Sequence, residues 1–364
     1  MYSFDPTEEQ QMLIDAIQRY AVNDLRAKAH DADEEGELPQ KLIEKGWELG
    51  FLQASIPEKY GGFGERSAVT GVLAAEEMAY GDMAGALAVL TPSLFATPIA
   101  LMGSEEQKHT YLPAIAEGEW TPFTAALIEP HYDFDPNELR SVAESDGRDY
   151  VITGEKIYVP YASEAEAMIV YARLGDQTQG FVISKAAPGL KVGERQRTLG
   201  LYSLPMYKVS LQGVRIPKEN RLGGTEGHDF APLLASMRLA LSAIAVGMSR
   251  AALDYAIKYA KEREVFGVKV AQKQAVAFML AEMATEIEAI RLLVWEAAWL
   301  MDTGKPEAVK QAYLSLTGAM DMTMMVTDRA VQTLGGHGYI REHPVELWMR
   351  NGRGIAMLNG LAII

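Results

Sequence analysis

Apolar positions recur with two different periods along this chain, and the change of period divides it in three. Residues 1 to about 117 carry helical spacing. Thr7 with Gln10 three residues on reads as a capping box, and Leu13, Ile14, Ile17 and Tyr20 follow at helical intervals. Pro39 stands where a second helix can start, with Leu42, Ile43 and Trp47 on its apolar side and Gly50 near its end. Residues 56–62 (IPEKYGG) form a break. The spacing predicts a helix over 68–79 and another capped by Ser104 and Gln107. From Trp120 to about Leu222 the runs shorten to strand length. Residues 150–159 give strand-like runs around a turn at Gly154, and 167–173 with 180–184, separated by Gly175-Asp176, read as a hairpin. A small β-barrel or sandwich follows. Beyond about Phe230 the helical period returns over 232–261, 272–301 and 307–333, with Gly304 and Pro306 between the last two. Phe278, Met283, Ile287, Ile290 and Val294 are placed on one helical face. Three such helices and a later partner make a four-helix bundle. The expected fold is an α+β multidomain chain. It has an N-terminal helical domain (1–117), a middle β domain (118–222) and a C-terminal helical bundle (223–364).

Composition narrows the chemistry. A chain of 364 residues, 48% of them hydrophobic, can bury several cores. A formal charge of -15 argues against nucleic acid as a partner, because phosphate binding wants clustered Lys and Arg. There is no cysteine, which excludes disulfides, thiolate nucleophiles and thiolate metal ligands and agrees with a reducing compartment. The start, MYSFDPTEEQQ, lacks the basic and apolar regions of a signal peptide. No apolar run reads as a membrane span: the longest, 239–248, is short and follows Arg238. A soluble, cytoplasmic protein with no membrane partner is expected. His131, His337 and His343 have no metal-ligand spacing with carboxylates, so no metal is expected.

Five motifs, in order, point to one family. They are Gly61-Gly62-Phe63-Gly64, the run 103–108 (GSEEQK), and Val214-Arg-Ile-Pro-Lys-Glu-Asn220. After these come Glu262-Arg263 through Phe266-Gly267 with Gln274, and Gln332-Thr-Leu-Gly-Gly-His-Gly338. Together they cover nearly the whole chain and resemble the acyl-CoA dehydrogenases. That resemblance implies FAD as cofactor, an acyl-CoA thioester as substrate and α,β-dehydrogenation as reaction. A carboxylate takes the α proton, a role typically worth about 10²–10⁴ in rate. It also implies cofactor contacts. Arg263 matches the arginine on the FAD diphosphate, Phe266 a residue near the adenosine, and Gln274 and Gln332 amide contacts. Gly335 and Gly336 match the turn that lets backbone approach phosphate. In the family these groups reach the FAD held by a neighbouring subunit. Arg238 matches an arginine near the base and thioester and reads either as a substrate contact or as a helix-side ion pair.

Other positions depart from the family. Its catalytic Glu stands in a Tyr-Glu-Gly-Thr run, where this chain has Asn359, and some members place the Glu where this chain has Met237. An amide and a thioether cannot act as carboxylate bases, so no catalytic residue is identifiable. The flavin-facing strand, Thr-Glu-Pro-x-x-Gly-Ser-Asp in the family, reads Ile128-Glu-Pro-His-Tyr-Asp-Phe134-Asp135, and Trp-Ile-Thr-Asn reads Tyr158-Val-Pro-Tyr161. Pro160 has neither hydroxyl nor N–H to offer flavin N5. The sequence runs to Ile364, where family chains go on into a further helix. Groups offered to a neighbour's flavin are kept and groups for the chain's own flavin are replaced. The expectation is a subunit of a hetero-oligomer, resembling the α2β2 acyl-CoA dehydrogenases of fatty acid or steroid side-chain catabolism. It completes the FAD site of a second, catalytic acyl-CoA dehydrogenase subunit in a tetramer, a dimer of dimers, with an electron-transfer flavoprotein as acceptor. Two alternatives stand beside it. One is a self-sufficient homo-oligomeric enzyme with a relocated base, for which Asp82, Glu129 and Asp133 are candidates. The other is a non-catalytic acyl-CoA-binding or scaffold protein.

Overall fold

The computed structural model describes residues 6–364. Seven helices come first: α1 (Glu8–Tyr20), α2 (Arg26–Glu35), α3 (Gln40–Trp47), α4 (Ala68–Gly81), α5 (Met83–Val89), α6 (Ser93–Met102) and α7 (Glu105–Glu117). Thr7 and Ser104 both close reciprocal capping boxes with Gln10 and Gln107, as the spacing predicts. The first turn of α4 is held from far along the chain. Asp302 accepts the N–H groups of Ala68 at 2.6 Å and Val69 at 3.1 Å, which puts a carboxylate at the positive end of the helix.

The middle unit has β1 (Thr124–Ala126), β2 (Val142–Ser145), β3 (Asp149–Pro160), β4 (Ala167–Leu174), β5 (Gln177–Ser184), β6 (Leu190–Arg195) and β7 (Met206–Pro217). They form one seven-stranded sheet in the order β1-β4-β2-β3-β7-β6, with β5 paired to β4. The β4–β5 hairpin is the one read from the sequence. Gly154 is not a turn, however. β3 runs straight through it, with a register shift against β7 between Ile152 and Gly154. A Cβ at Gly154 would stand 2.2 Å from the Ser141 hydroxyl, so the glycine serves a close crossing within the sheet.

The last part holds α8 (Phe230–Glu262), the two-strand hairpin β8 (Glu264–Val265) and β9 (Val268–Lys269), then α9 (Gln274–Asp302), α10 (Glu307–Leu334) and α11 (Val345–Arg353). Met283, Ile287, Ile290 and Val294 are buried on one face of α9, but Phe278 is 59% exposed. It stands five positions before Met283, about 140° around the helix, so it points away from that face. α8 is the longest helix of the bundle. By length and composition it could cross a membrane, yet 83% of its most apolar window is buried inside the molecule, where it serves as the central core helix. It crosses α4 closely at Gly247, where a Cβ would meet the Glu76 carbonyl oxygen at 2.0 Å. The buried Glu76 carboxylate forms ion pairs with Arg291, whose Nε lies 2.8 Å away, and with Arg250, tying α4, α8 and α9 together. Burial pushes the pKa of Glu76 up and the two arginines oppose that push. Past α11, residues 361–364 turn into the interior and are buried. Arg66 Nε donates to the Ile364 carbonyl at 2.9 Å, and its Nη2 to the Ser236 hydroxyl at 3.1 Å.

Candidate functional site

Two regions bear on function. The first is a cleft of 460 Å³ where the loop after β1 meets the end of β3 and the segment after α11. Its walls include Ile128, Glu129, His131, Phe134, Tyr158, Gln196 and Met357. Beneath it lies a buried ionic cluster. Lys156 donates to Glu129 Oε1 at 2.8 Å and to the Leu127 carbonyl at 3.0 Å. Glu129 also accepts the N–H groups of Arg140 at 2.6 Å and Ser141 at 2.8 Å. Burial pushes Glu129 up, but Lys156 and these hydrogen bonds outweigh it and hold the carboxyl down at about 2. Burial pushes Lys156 down to about 8 against the pull of Glu129. The His131 ring bridges Glu129 and Asp133 at 3.0 Å each, and Asp133 pairs with Arg140 at 2.7 Å.

Each carboxylate named as a candidate replacement base has partners within the chain. Glu129 is spent on Lys156 and two backbone donors, and Asp133 on Arg140 and His131. Asp82, which burial raises to about 6, caps α5 by accepting the Gly85 N–H at 2.7 Å. The cleft is also poor in groups for a flavin ring. Ile128 brings no hydroxyl, Pro160 no N–H, and the Tyr158 N–H donates to Gln196 Oε1 at 2.7 Å.

Asn359 lies beside this cleft. Ala356 and Met357 line it, and a Cβ on the next residue, Gly360, would touch Leu127 at 2.6 Å. The Asn359 Oδ1 is buried without a hydrogen-bond partner. Met237 is fully buried in α8. Arg238, one residue on, stacks over the Tyr313 ring at 4.9 Å, and burial lowers its pKa. It makes no ion pair among the described residues, so a free guanidinium remains where the sequence places a substrate contact.

The second region is the end of the bundle where α8 stops, α9 starts and α10 stops. The β8–β9 hairpin turns through Phe266 (φ 56°) and Gly267 (φ 77°), a left-handed pair that matches the twist of a two-residue hairpin. The turn lifts Phe266 to 93% exposure. Arg263, Gln274 and Gln332 are exposed, and their side chains make no hydrogen bond or ion pair among the described residues. Gly335 follows α10 with φ 58°. Apart from the flanking residues, no atom among the described residues stands within 4 Å of a Cβ built at Gly335 or Gly336. Gly336 lacks even a left-handed φ, so nothing among the described residues requires a glycine there. By contrast, a Cβ at Gly338 would meet the Val331 carbonyl at 2.3 Å. Tyr259 ties the turn to α8 by bonding His337 Nδ1 at 2.9 Å, and Tyr255 bonds His343 Nδ1 at 2.8 Å. The two imidazoles stack at 5.4 Å. The six residues matched to the cofactor thus lie at one end of the bundle, while Asn359 and Met237 belong to other parts of the molecule. Among the described residues, no group of three or more His, Asp or Glu side chains is arranged to hold a metal ion.

Sequence reasoning missed Gln196 and Lys156. Lys156 had a readable signal, a lysine within the apolar run 150–159. Gln196 had none, since its role depends on how a loop folds back on β3.

Three family models match this sequence in order. The acyl-CoA dehydrogenase N-terminal domain covers residues 7–119, the middle domain 124–214 and the C-terminal domain 230–362. A probable acyl-CoA dehydrogenase of Bacillus subtilis, YngJ, is 34% identical over 362 residues, covering 96% of this chain and 94% of the relative. The CarC subunit of the caffeyl-CoA reductase–Etf complex of Acetobacterium woodii is 33% identical over 364 residues, covering 97% and 95%. Among solved structures, butyryl-CoA dehydrogenase of Megasphaera elsdenii superposes with a TM-score of 0.89 at 31% identity, covering 99% of this chain and 96% of that one. The three-part fold, the motifs and these relatives agree, and the chain belongs to the acyl-CoA dehydrogenase family.

Proposed function

We propose that this chain is a subunit of an FAD-dependent acyl-CoA dehydrogenase and that it completes a flavin site held mainly by a partner subunit of the same family. FAD, when bound, supplies the acceptor for two electrons. The exposed end of the bundle fits its diphosphate. The Arg263 guanidinium is free, the amides of Gln274 and Gln332 are unspent, and Gly336 leaves open a space that no described residue beyond its neighbours uses. The free guanidinium carries the reading, since an exposed cation beside two unspent amides suits an anionic group arriving from outside. In the pair, Arg263 neutralises the diphosphate, the Gly335-Gly336 turn lets backbone approach it, and Phe266 packs on the adenosine side.

On its own half, the family's base positions hold no carboxylate. Asn359 cannot take a proton from the α carbon, and the nearby carboxylates are bound in structural pairs. This weighs against a self-sufficient enzyme with a relocated base. The unspent diphosphate contacts weigh against a scaffold that has left flavin chemistry. A tetramer built of two unlike pairs is the assembly that follows. CarC is described as part of a complex with an Etf, and an electron-transfer flavoprotein is the acceptor we assign. The cytoplasm is the compartment that a cysteine-free dehydrogenase suits.

The test is flavin stoichiometry. Purified alone, the chain is expected to hold little FAD and show no turnover. With its partner, flavin and acyl-CoA oxidation are both expected, and Arg263→Ala should lower the flavin content of the pair at least tenfold. Full flavin occupancy and dehydrogenase turnover by the lone chain would overturn the proposal.

A further inference from the structure

We propose that a cavity beside α11 is a binding site for a small organic phosphate, separate from the flavin contacts at the bundle end. The cavity measures 370 Å³, the size of a small-molecule site. It forms where the loop between β6 and β7 lies along α11. That loop is pinned. Leu201 N–H donates to Asn351 Oδ1 at 2.7 Å, and Arg350 Nη1 to the Leu199 carbonyl at 2.9 Å. Gly200 permits the contact, because a Cβ there would meet the Arg350 carbonyl at 2.3 Å. The walls are therefore largely preformed.

The polar groups lining the cavity divide into spent and unspent. Arg350 is spent on Asp33 at 2.7 Å and on Glu346 at 2.8 Å, and Asn351 on the loop. Arg197 and Arg353 make no ion pair or side-chain hydrogen bond among the described residues, and the Thr198 hydroxyl is buried without a partner. No acidic side chain lines the cavity. Two free guanidiniums and an unmet hydroxyl want an anion with several acceptor oxygens, and the planar fork of arginine suits phosphate. In a protein of charge -15, such an uncompensated pair is a local exception to a field that repels anions. The facing wall is apolar, with Met206 and Leu358, so the ligand carries an apolar body beside its phosphate. Tyr158 and Met357 wall both this cavity and the cleft above β3, so the two spaces adjoin.

Calorimetric titration of the lone chain with phenyl phosphate and with inorganic phosphate tests the assignment. Phenyl phosphate should bind saturably and at least tenfold more tightly than inorganic phosphate. The double variant Arg197→Ala/Arg353→Ala should weaken it at least tenfold while keeping the circular dichroism of the parent. Thr198→Val, which removes only the hydroxyl, should weaken it severalfold. Absence of saturation, equal affinity for the two probes, or unchanged binding by the double variant would each overturn the proposal. So would loss of binding in Arg263→Ala, which would place the ligand at the bundle end. None of these readouts uses flavin, so failure here leaves the subunit assignment standing.

Discussion

Lys156 shows how much one side chain can decide. Its ammonium is buried with Glu129, and the pair survives because each removes the other's cost and backbone donors take the remaining lone pairs. Lys156→Met would leave the Glu129 carboxylate buried without its cation. The expected loss is about 3–5 kcal/mol in urea unfolding, and a change below 1 kcal/mol would show that the pair is not the anchor of this loop. His228 gives a pH prediction. Burial lowers its pKa from 6.5 to about 4, and its Nε2 has no partner. The unfolded chain takes up the proton near 6.5 and the folded chain refuses it until about 4. Stability carried by the neutral ring is therefore complete above 6.5 and is lost as pH falls through 4. The imidazole resonances of His228 should titrate near 4, and a midpoint near 6.5 would contradict the burial.

At the scale of elements, the close crossing of α4 and α8 depends on Gly247. Gly247→Ala forces a methyl group into the Glu76 carbonyl, and we expect a cost of about 1–3 kcal/mol from overpacking. Unchanged thermal stability in that variant would mean that the helices can separate freely. The loop after α10 is pinned by its stacked histidines. Burial and the neighbouring His337 hold His343 below its usual value of 6.5. The folded loop therefore disfavours the proton, and the stability this gives is lost as pH falls below 6.5. Protection factors of residues 335–343, corrected for the intrinsic pH dependence of amide exchange, should fall on acidification more than those in the middle of α10. Equal response of both would remove the histidine stack as the cause.

For the molecule as a whole, the three-part order and nearly every long helix were legible in the sequence, because amphipathic spacing and caps act locally. Thr7 and Ser104 announce their helices within four residues. Gly154 and Phe278 misled for opposite reasons. Glycine signals a turn and a close crossing alike, and only the distant Ser141 distinguishes them. Phe278 is apolar but lies off the buried stripe. Of the functional region, the positions at the bundle end could be read as a motif. What could not be read was that their side chains are unspent, since that depends on every other group nearby. The fate of Glu129, Asp133 and Asp82 was equally hidden, because a carboxylate looks the same in sequence whether it is a base or a strut.

Phe266 carries a practical consequence. An aromatic ring lifted into water on a tight hairpin is greasy surface waiting for a cover. Cells that make this chain in excess of whatever covers it should accumulate sticky, self-associating material, and balanced co-expression should keep it dispersed. Trimming that ring to serine should make the solitary protein better behaved in solution and, on the proposed pairing, worse at joining a second subunit.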